Sequence, residues 1–98
     1  MISQAERARR IREAYAREQD DPERWFWMSF AGDEGFLGVI IIRARGIASA
    51  LELTHELGIN PGGSVAFHEL FDNVVERNVP EAYRGRLLTS AEIEELGR

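Results

Sequence analysis

The sequence predicts an α+β fold: a β-hairpin running into a right-handed βαβ unit, a three-stranded mixed sheet with flanking N- and C-terminal helices. Three observations carry this. Two apolar runs, Arg24 to Ala31 and Phe36 to Arg45, are separated by the turn-forming Gly32-Asp33-Glu34-Gly35. A helix-periodic run from Ile47 to Leu57 follows and is closed by Gly58. Asn60-Pro61-Gly62-Gly63 then turns the chain into a further extended segment, Ser64 to Leu70. Strand, helix and strand in so short a span predict a right-handed crossover with the third strand parallel to the second.

Each element has a local cause. Ser3 to Glu18 reads as a helix, with Ser3 as cap and Glu6 at the capping-box spacing. Its apolar side, Ala8, Ile11, Ala14 and Tyr15, is too thin to nucleate a core and suits packing on a neighbour. Pro22 disfavours helical geometry at Asp21 and ends the helix. In the hairpin, setting Gly32 against Gly35 places Phe30 opposite Leu37, Met28 opposite Val39, Phe26 opposite Ile41 and Arg24 opposite Arg43. All of these then share one face with Arg45, because side chains alternate across a sheet. The other face carries Trp25, Trp27 and Ser29 opposite Ile42, Ile40 and Gly38. Both faces are apolar, so both need a cover. The Ile47–Leu57 helix supplies one, and the N-terminal helix or a second subunit the other.

The helix after Gly46 places Ile47, Ala50, Leu51, Thr54 and Leu57 on one side and Glu52, His55 and Glu56 on the other. Gly58 is the expected left-handed residue after it, with Ile59 making the accompanying apolar contact. Residues 71–80 read as loop or a distorted helical turn, and Glu81 to Leu88 as a short helix. Thr89-Ser90-Ala91-Glu92 opens a last helix through Leu96 with a second capping box.

The 98 residues imply a single domain: an N-terminal helix over 1–19, a ββαβ core over 24–70 and a C-terminal segment over 71–98. A chain of this size often completes its burial by pairing with copies of itself, so a homo-oligomer, at least a dimer, is expected. The apolar fraction of 44% suits a folded core. There is no cysteine, which removes disulfides, thiolate metal sites and cysteine nucleophiles and fits a reducing interior. No run is long enough to span a bilayer and no secretory signal is visible, so a soluble cytoplasmic protein is expected.

Net charge is −5 and every cation among the 12 is arginine. The acidic balance argues against duplex nucleic acid as a partner, since a basic face supplies most of that affinity. A local anion site stays open. In the hairpin register above, Arg24, Arg43 and Arg45 meet at one end of the sheet beside the amino end of the Ile47 helix, where free amides favour an anion. Their counter-charge is either a ligand phosphate or the neighbouring Asp20, Asp21 and Glu23. Trp25 and Trp27 offer rings on which a base could stack, or serve as core or interface residues. Asn60, Gly62, Gly63 and Ser64 form either a backbone nest for an anion or a connection that needs glycine for geometry alone. That loop belongs at the opposite end of the sheet from the arginines, so one ligand could touch both only across two subunits. No P-loop, dinucleotide fingerprint, nucleophile elbow or zinc-protease spacing occurs. No enzyme activity, cofactor or metal is therefore expected.

Gly35-Phe36-Leu37-Gly38-Val39-Ile40-Ile41-Ile42-Arg43-Ala44-Arg45-Gly46, then Ser49-Ala50, then His55-Glu56-Leu57-Gly58-Ile59-Asn60-Pro61-Gly62-Gly63, resembles a family of short uncharacterised proteins common in phage and prophage genomes. Its Leu-Gly-x-Asn-Pro-Gly-Gly element is the most specific part, and Ser64 stands where members often carry an acid. The resemblance implies a small non-enzymatic phage protein acting in the host cytoplasm. By analogy of size and context, it implies a sponge that binds an anionic nucleotide-like ligand such as a cyclic nucleotide and sequesters immune signals. The alternative is a protein–protein interaction module acting on a host or phage protein through its aromatic sheet face.

Overall fold

In the computed structural model, which describes residues 3–97, the chain runs α1 (Gln4–Glu18), β1 (Arg24–Gly32), β2 (Gly35–Ala44), α2 (Ile47–Glu56), β3 (Ser64–Leu70) and α3 (Asp72–Asn78). A 3-10 turn (Glu81–Tyr83), β4 (Leu87–Leu88) and α4 (Ser90–Leu96) complete it. The α+β class holds, with one sheet in the order β3-β1-β2-β4. All three pairings are antiparallel. β3 does run in the same direction as β2, but β1 lies between them, so the expected three-stranded mixed sheet is corrected to a four-stranded antiparallel one. Two features explain the change. The connection through α2 carries the chain past β2 to the free side of β1. On the other side, β4 pairs with Val39 and Ile40, and the Gly85 amide donates to the Ile41 carbonyl at 2.8 Å.

The hairpin closes at Gly32 and Gly35 as expected, but its register then slips. Ala31 faces Phe36 while Phe30 faces Gly38, which leaves Leu37 as an extra residue on β2. From there Met28 faces Ile40, Phe26 faces Ile42, Trp25 faces Arg43 and Arg24 faces Ala44. A one-residue slip exchanges the faces of a strand. Gly38 permits it: its φ of +143° is a conformation that residues with a Cβ rarely adopt.

One face therefore buries Phe26, Met28, Phe30, Ile40, Ile42 and Ala44 under Ala50 of α2, with Leu51, Leu53 and Ile59 packed around them. α2 ends in a Schellman motif, the amides of Gly58 and Ile59 donating to the carbonyls of His55 and Thr54. The opposite face buries Val39 and Ile41 with Val75, Val79 and Leu88, flanked by Trp25, Trp27, Tyr83, Ile93 and Leu96. The second cover is thus the C-terminal segment, not the N-terminal helix. Residues 72–78 form a helix because Val75 and Val79, one turn apart, both bury there. Residues 81–88 give a 3-10 turn and a short strand where a helix was expected. Arg84 fixes this lid, donating to the Val79 carbonyl from two of its nitrogens and to Val75 from one. α4 carries the expected capping box between Thr89 and Glu92. Arg86, helped by the Thr89 amide, holds the Glu92 carboxyl down to about 2. α1 packs chiefly on α2 and buries none of its residues.

A Cβ on Gly38 would stand 2.8 Å from both the Leu88 carbonyl oxygen and a Leu87 methyl. Gly38→Ala should therefore cost at least the ~1–3 kcal/mol of a strained backbone position, read as a lower urea midpoint at unchanged slope. A loss below about 0.5 kcal/mol, the range of ordinary surface changes, would show that the bulge does not set the register.

Candidate functional site

The slip at Leu37 separates Arg24 from Arg43, which an unbulged hairpin would set opposite each other. Arg24 lies on the α2 face and Arg43 on the opposite one, beside Trp25. Each has a partner within the chain. Arg24 pairs with Glu69 at 3.1 Å and donates to the Arg45 carbonyl at 3.0 Å. Arg43 pairs with Glu23 at 3.5 Å. Arg45 donates to the Asp21 carbonyl at 2.8 Å. The amino end of α2 is also taken. The Glu18 carboxylate accepts from the Ser49 amide at 2.7 Å and the Ala48 amide at 3.0 Å, as a bound anion would. Burial works against its charge, yet the Ser49 and Ala48 hydrogen bonds and Arg24 outweigh it and hold its pKa below the ordinary value of 4.5.

Arg43 and Arg45 do share a cleft of about 270 Å³ between α1, α2 and the end of β2, with Tyr15 on its wall. Glu23, Glu52 and Glu56 line the same cleft, so carboxylates outnumber guanidiniums there.

Asn60, Gly62, Gly63 and Ser64 lie at the far end of the sheet, where Ser64 pairs with Ala31. Asn60 is engaged within the fold. Its amide donates to the buried Thr54 hydroxyl at 3.0 Å and its oxygen accepts from the Gly62 amide at 2.8 Å. Gly62 and Gly63 both have positive φ, and a Cβ on Gly63 would fall 2.3 Å from the Ala31 carbonyl oxygen. This glycine is required by the approach of the loop to β1. Trp25 is half-buried, with the guanidiniums of Arg84 and Arg43 at 5.5 and 5.9 Å from its ring centre. Trp27 is half-buried between Ile41 and His68 on the lidded face. The nine predicted positions thus fall into separate groups at both ends and on both faces of the sheet.

The feature missed in the sequence is an edge. β3 pairs with β1 on one side only, along seven residues and without irregularity. Gly32 closes the hairpin with its backbone groups turned to β2, so alternation turns those of Ala31, Ser29, Trp27 and Trp25 to β3. Their partners Ser64, Ala66, His68 and Leu70 point inward. The amides and carbonyls of Val65, Phe67 and Glu69 consequently face out of the sheet. Folded proteins guard such edges with lysine, proline, bulges or a covering element. Here the strand holds no proline, its pairing holds no bulge, and its one acidic side chain, Glu69, is paired with Arg24. Phe71, at its end, is 77% exposed, the most open large apolar side chain among the described residues. At the start of α2, Ile47 is 49% exposed beside Phe67 in a groove of about 330 Å³. A strand without proline followed directly by phenylalanine is the signal that was available.

Among the described residues no helix is long and apolar enough to cross a membrane, and no group of three metal-binding side chains gathers. Comparison with protein-family models, curated proteins and solved structures finds no match for this chain.

The Glu18 clamp has a pH signature. Its folded pKa lies below 4.5, so its contribution is complete above that value and is lost as the pH falls through the folded pKa. Glu18→Ala should lower stability by about 1 kcal/mol at neutral pH, and the gap from the unsubstituted protein should close below pH 4.5. A pH-independent gap in chemical unfolding would assign the loss to packing instead.

Proposed function

We propose that this protein is a non-enzymatic interaction module that recognises another polypeptide by adding a strand to its sheet at β3. The observation that carries the reading is the free, unguarded edge at Val65, Phe67 and Glu69, with exposed Phe71 beyond it. Strand addition draws affinity from main-chain hydrogen bonds and specificity from side-chain pockets beside the edge. Two grooves next to β3, one lined by Ile47 and Phe67, the other by Leu70 and Phe71, and both by Arg24 and Glu69, suit that division of labour. The interaction surface moves from the aromatic sheet face to the edge, because Trp25 and Trp27 lie under α3 and α4.

Unbiased peptide selection against the protein, followed by amide chemical-shift mapping, tests this. Extended peptides that shift Val65, Phe67 and Glu69, and lose binding to a variant carrying Ala66→Lys and His68→Lys, are expected. Both substituted side chains are exposed, so the fold should survive. Selected peptides that shift only Tyr15, Arg43 and Arg45 would overturn the reading.

A second reading, a small anionic nucleotide-like ligand of the kind a phage sponge sequesters, is favoured by the cleft that Arg43 and Arg45 share. Thermal-shift measurements with cyclic di- and trinucleotides address it. Ligand at 100 times its dissociation constant would add about 2.7 kcal/mol of stability. The acidic lining of the cleft leads us to expect no shift, and a saturable shift lost in Arg43→Ala would restore that reading.

A further inference from the structure

We propose that the strand added to β3 is the β3 of a second copy, joining two sheets into one of eight strands about a two-fold axis through Phe67. The inference rests on the reading of β3 as a docking edge and names its occupant.

Self-pairing follows from which backbone groups are free. Val65, Phe67 and Glu69 point outward, and a two-fold axis through Phe67 sets Phe67 against its own copy and Val65 against Glu69 of the second copy. All three residues then form hydrogen-bonded pairs on each side, about six bonds, two from each such pair. An axis through Ala66 or His68 leaves one outward residue of the strand without a strand partner. The chosen register also keeps charges apart, since Glu69 meets Val65 and His68 meets Ala66.

The same register gives the exposed aromatic a seat. Counting outward from Phe67, Phe71 stands opposite Gly63 of the second copy. An aromatic ring over an edge glycine covers backbone that the glycine leaves bare. Phe71 at 77% exposure and Gly63, an exposed residue without a side chain, supply the two halves of that contact. With the axis perpendicular to the sheet, both α2 helices lie on one side of it. The groove of each copy, lined by Ile47 and Phe67 together with Arg24 and Glu69, then lies on that same side. An interface of ~800 Å² per partner, usual for a stable complex, needs these side chains in addition to the strand. The other edge of the sheet is β4, only two residues long, so β3 with its seven residues is the longer of the two edge strands.

The chain has no cysteine, so introduced ones report cleanly. Two single variants, Ala66→Cys and His68→Cys, both at exposed positions, are mixed under oxidising conditions. In the proposed register Ala66 faces His68 of the second copy at disulfide range, whereas each residue is a diagonal neighbour of its own copy. The mixed disulfide should form about ten-fold faster than either self-disulfide, because the diagonal positions miss the required Cβ separation. Sedimentation should show a dimer that Ala66→Lys with His68→Lys converts to a folded monomer, with unchanged circular dichroism. A monomer at all concentrations up to about 1 mM overturns the inference. So does equal cross-linking in all three combinations, or a dimer indifferent to the lysines. Failure here leaves the interaction reading standing if selected peptides still map to Val65, Phe67 and Glu69. If they do not, both fail.

Discussion

One extra residue on β2 decides most of this structure. With Leu37 bulged and Gly38 at positive φ, the strand beyond it presents Ile40 and Ile42 to α2 and Val39 and Ile41 to the C-terminal lid. Without the bulge those sets would trade places. The lid depends on the same residue, since Leu87 and Leu88 lie where any side chain at position 38 would have to go. The absence of a Cβ there thus couples the hairpin register to the docking of β4. The separation of Arg24 from Arg43 is a further consequence of that local geometry.

β1 is the other organising element, because both its neighbours are antiparallel to it. Placing β3 beside β1 buries Met28 and half-buries Trp27 in the middle of the sheet and makes the loop from Asn60 to Gly63 pass tightly over the Ala31 carbonyl. It also leaves β3 outermost. The lid formed by α3, β4 and α4 closes over the β2 side and over one face, but nothing in residues 3–97 reaches past β3. The open edge is therefore a product of the topology, and the sequence of β3 does little to protect it.

Much of the fold was legible because it is written in local chemistry. The turn at Gly32-Asp33-Glu34-Gly35, the stop at Gly58 and the capping box at Thr89 each need only a few neighbouring residues, and each stands as read. What was not legible depended on contacts distant in sequence. A bulge at Leu37 costs little locally and is selected by the burial of both faces together. The choice between pairing β3 with β2 or with β1 depends on whether another segment claims the free edge of β2, and β4 does so from nearly fifty residues later. The candidate site suffered from the same limit. Arginine, asparagine and glycine at loop junctions resemble ligand-binding chemistry, yet here Glu69, Glu23, Thr54 and the Ala31 carbonyl satisfy or explain them. Those partners lie on other elements, and no spacing rule points to them.

Energetics limits what an open edge can do by itself. A backbone hydrogen bond contributes a net ~1 kcal/mol once its competition with water is counted, so about six of them roughly match the lower end of the ~4–15 kcal/mol cost of association. Main-chain pairing alone would hold partners weakly and without selectivity. Affinity must come from apolar side chains that are exposed beforehand, and Phe71 and Ile47 are two such residues, set on either side of the Arg24–Glu69 pair. Full burial of one large apolar side chain is worth about 1.5–3 kcal/mol. Two copies related by a two-fold axis bury each such residue twice, an advantage that a single added peptide lacks. The edge sets the geometry of contact for any strand, while the doubled apolar flanks favour the chain itself as the occupant.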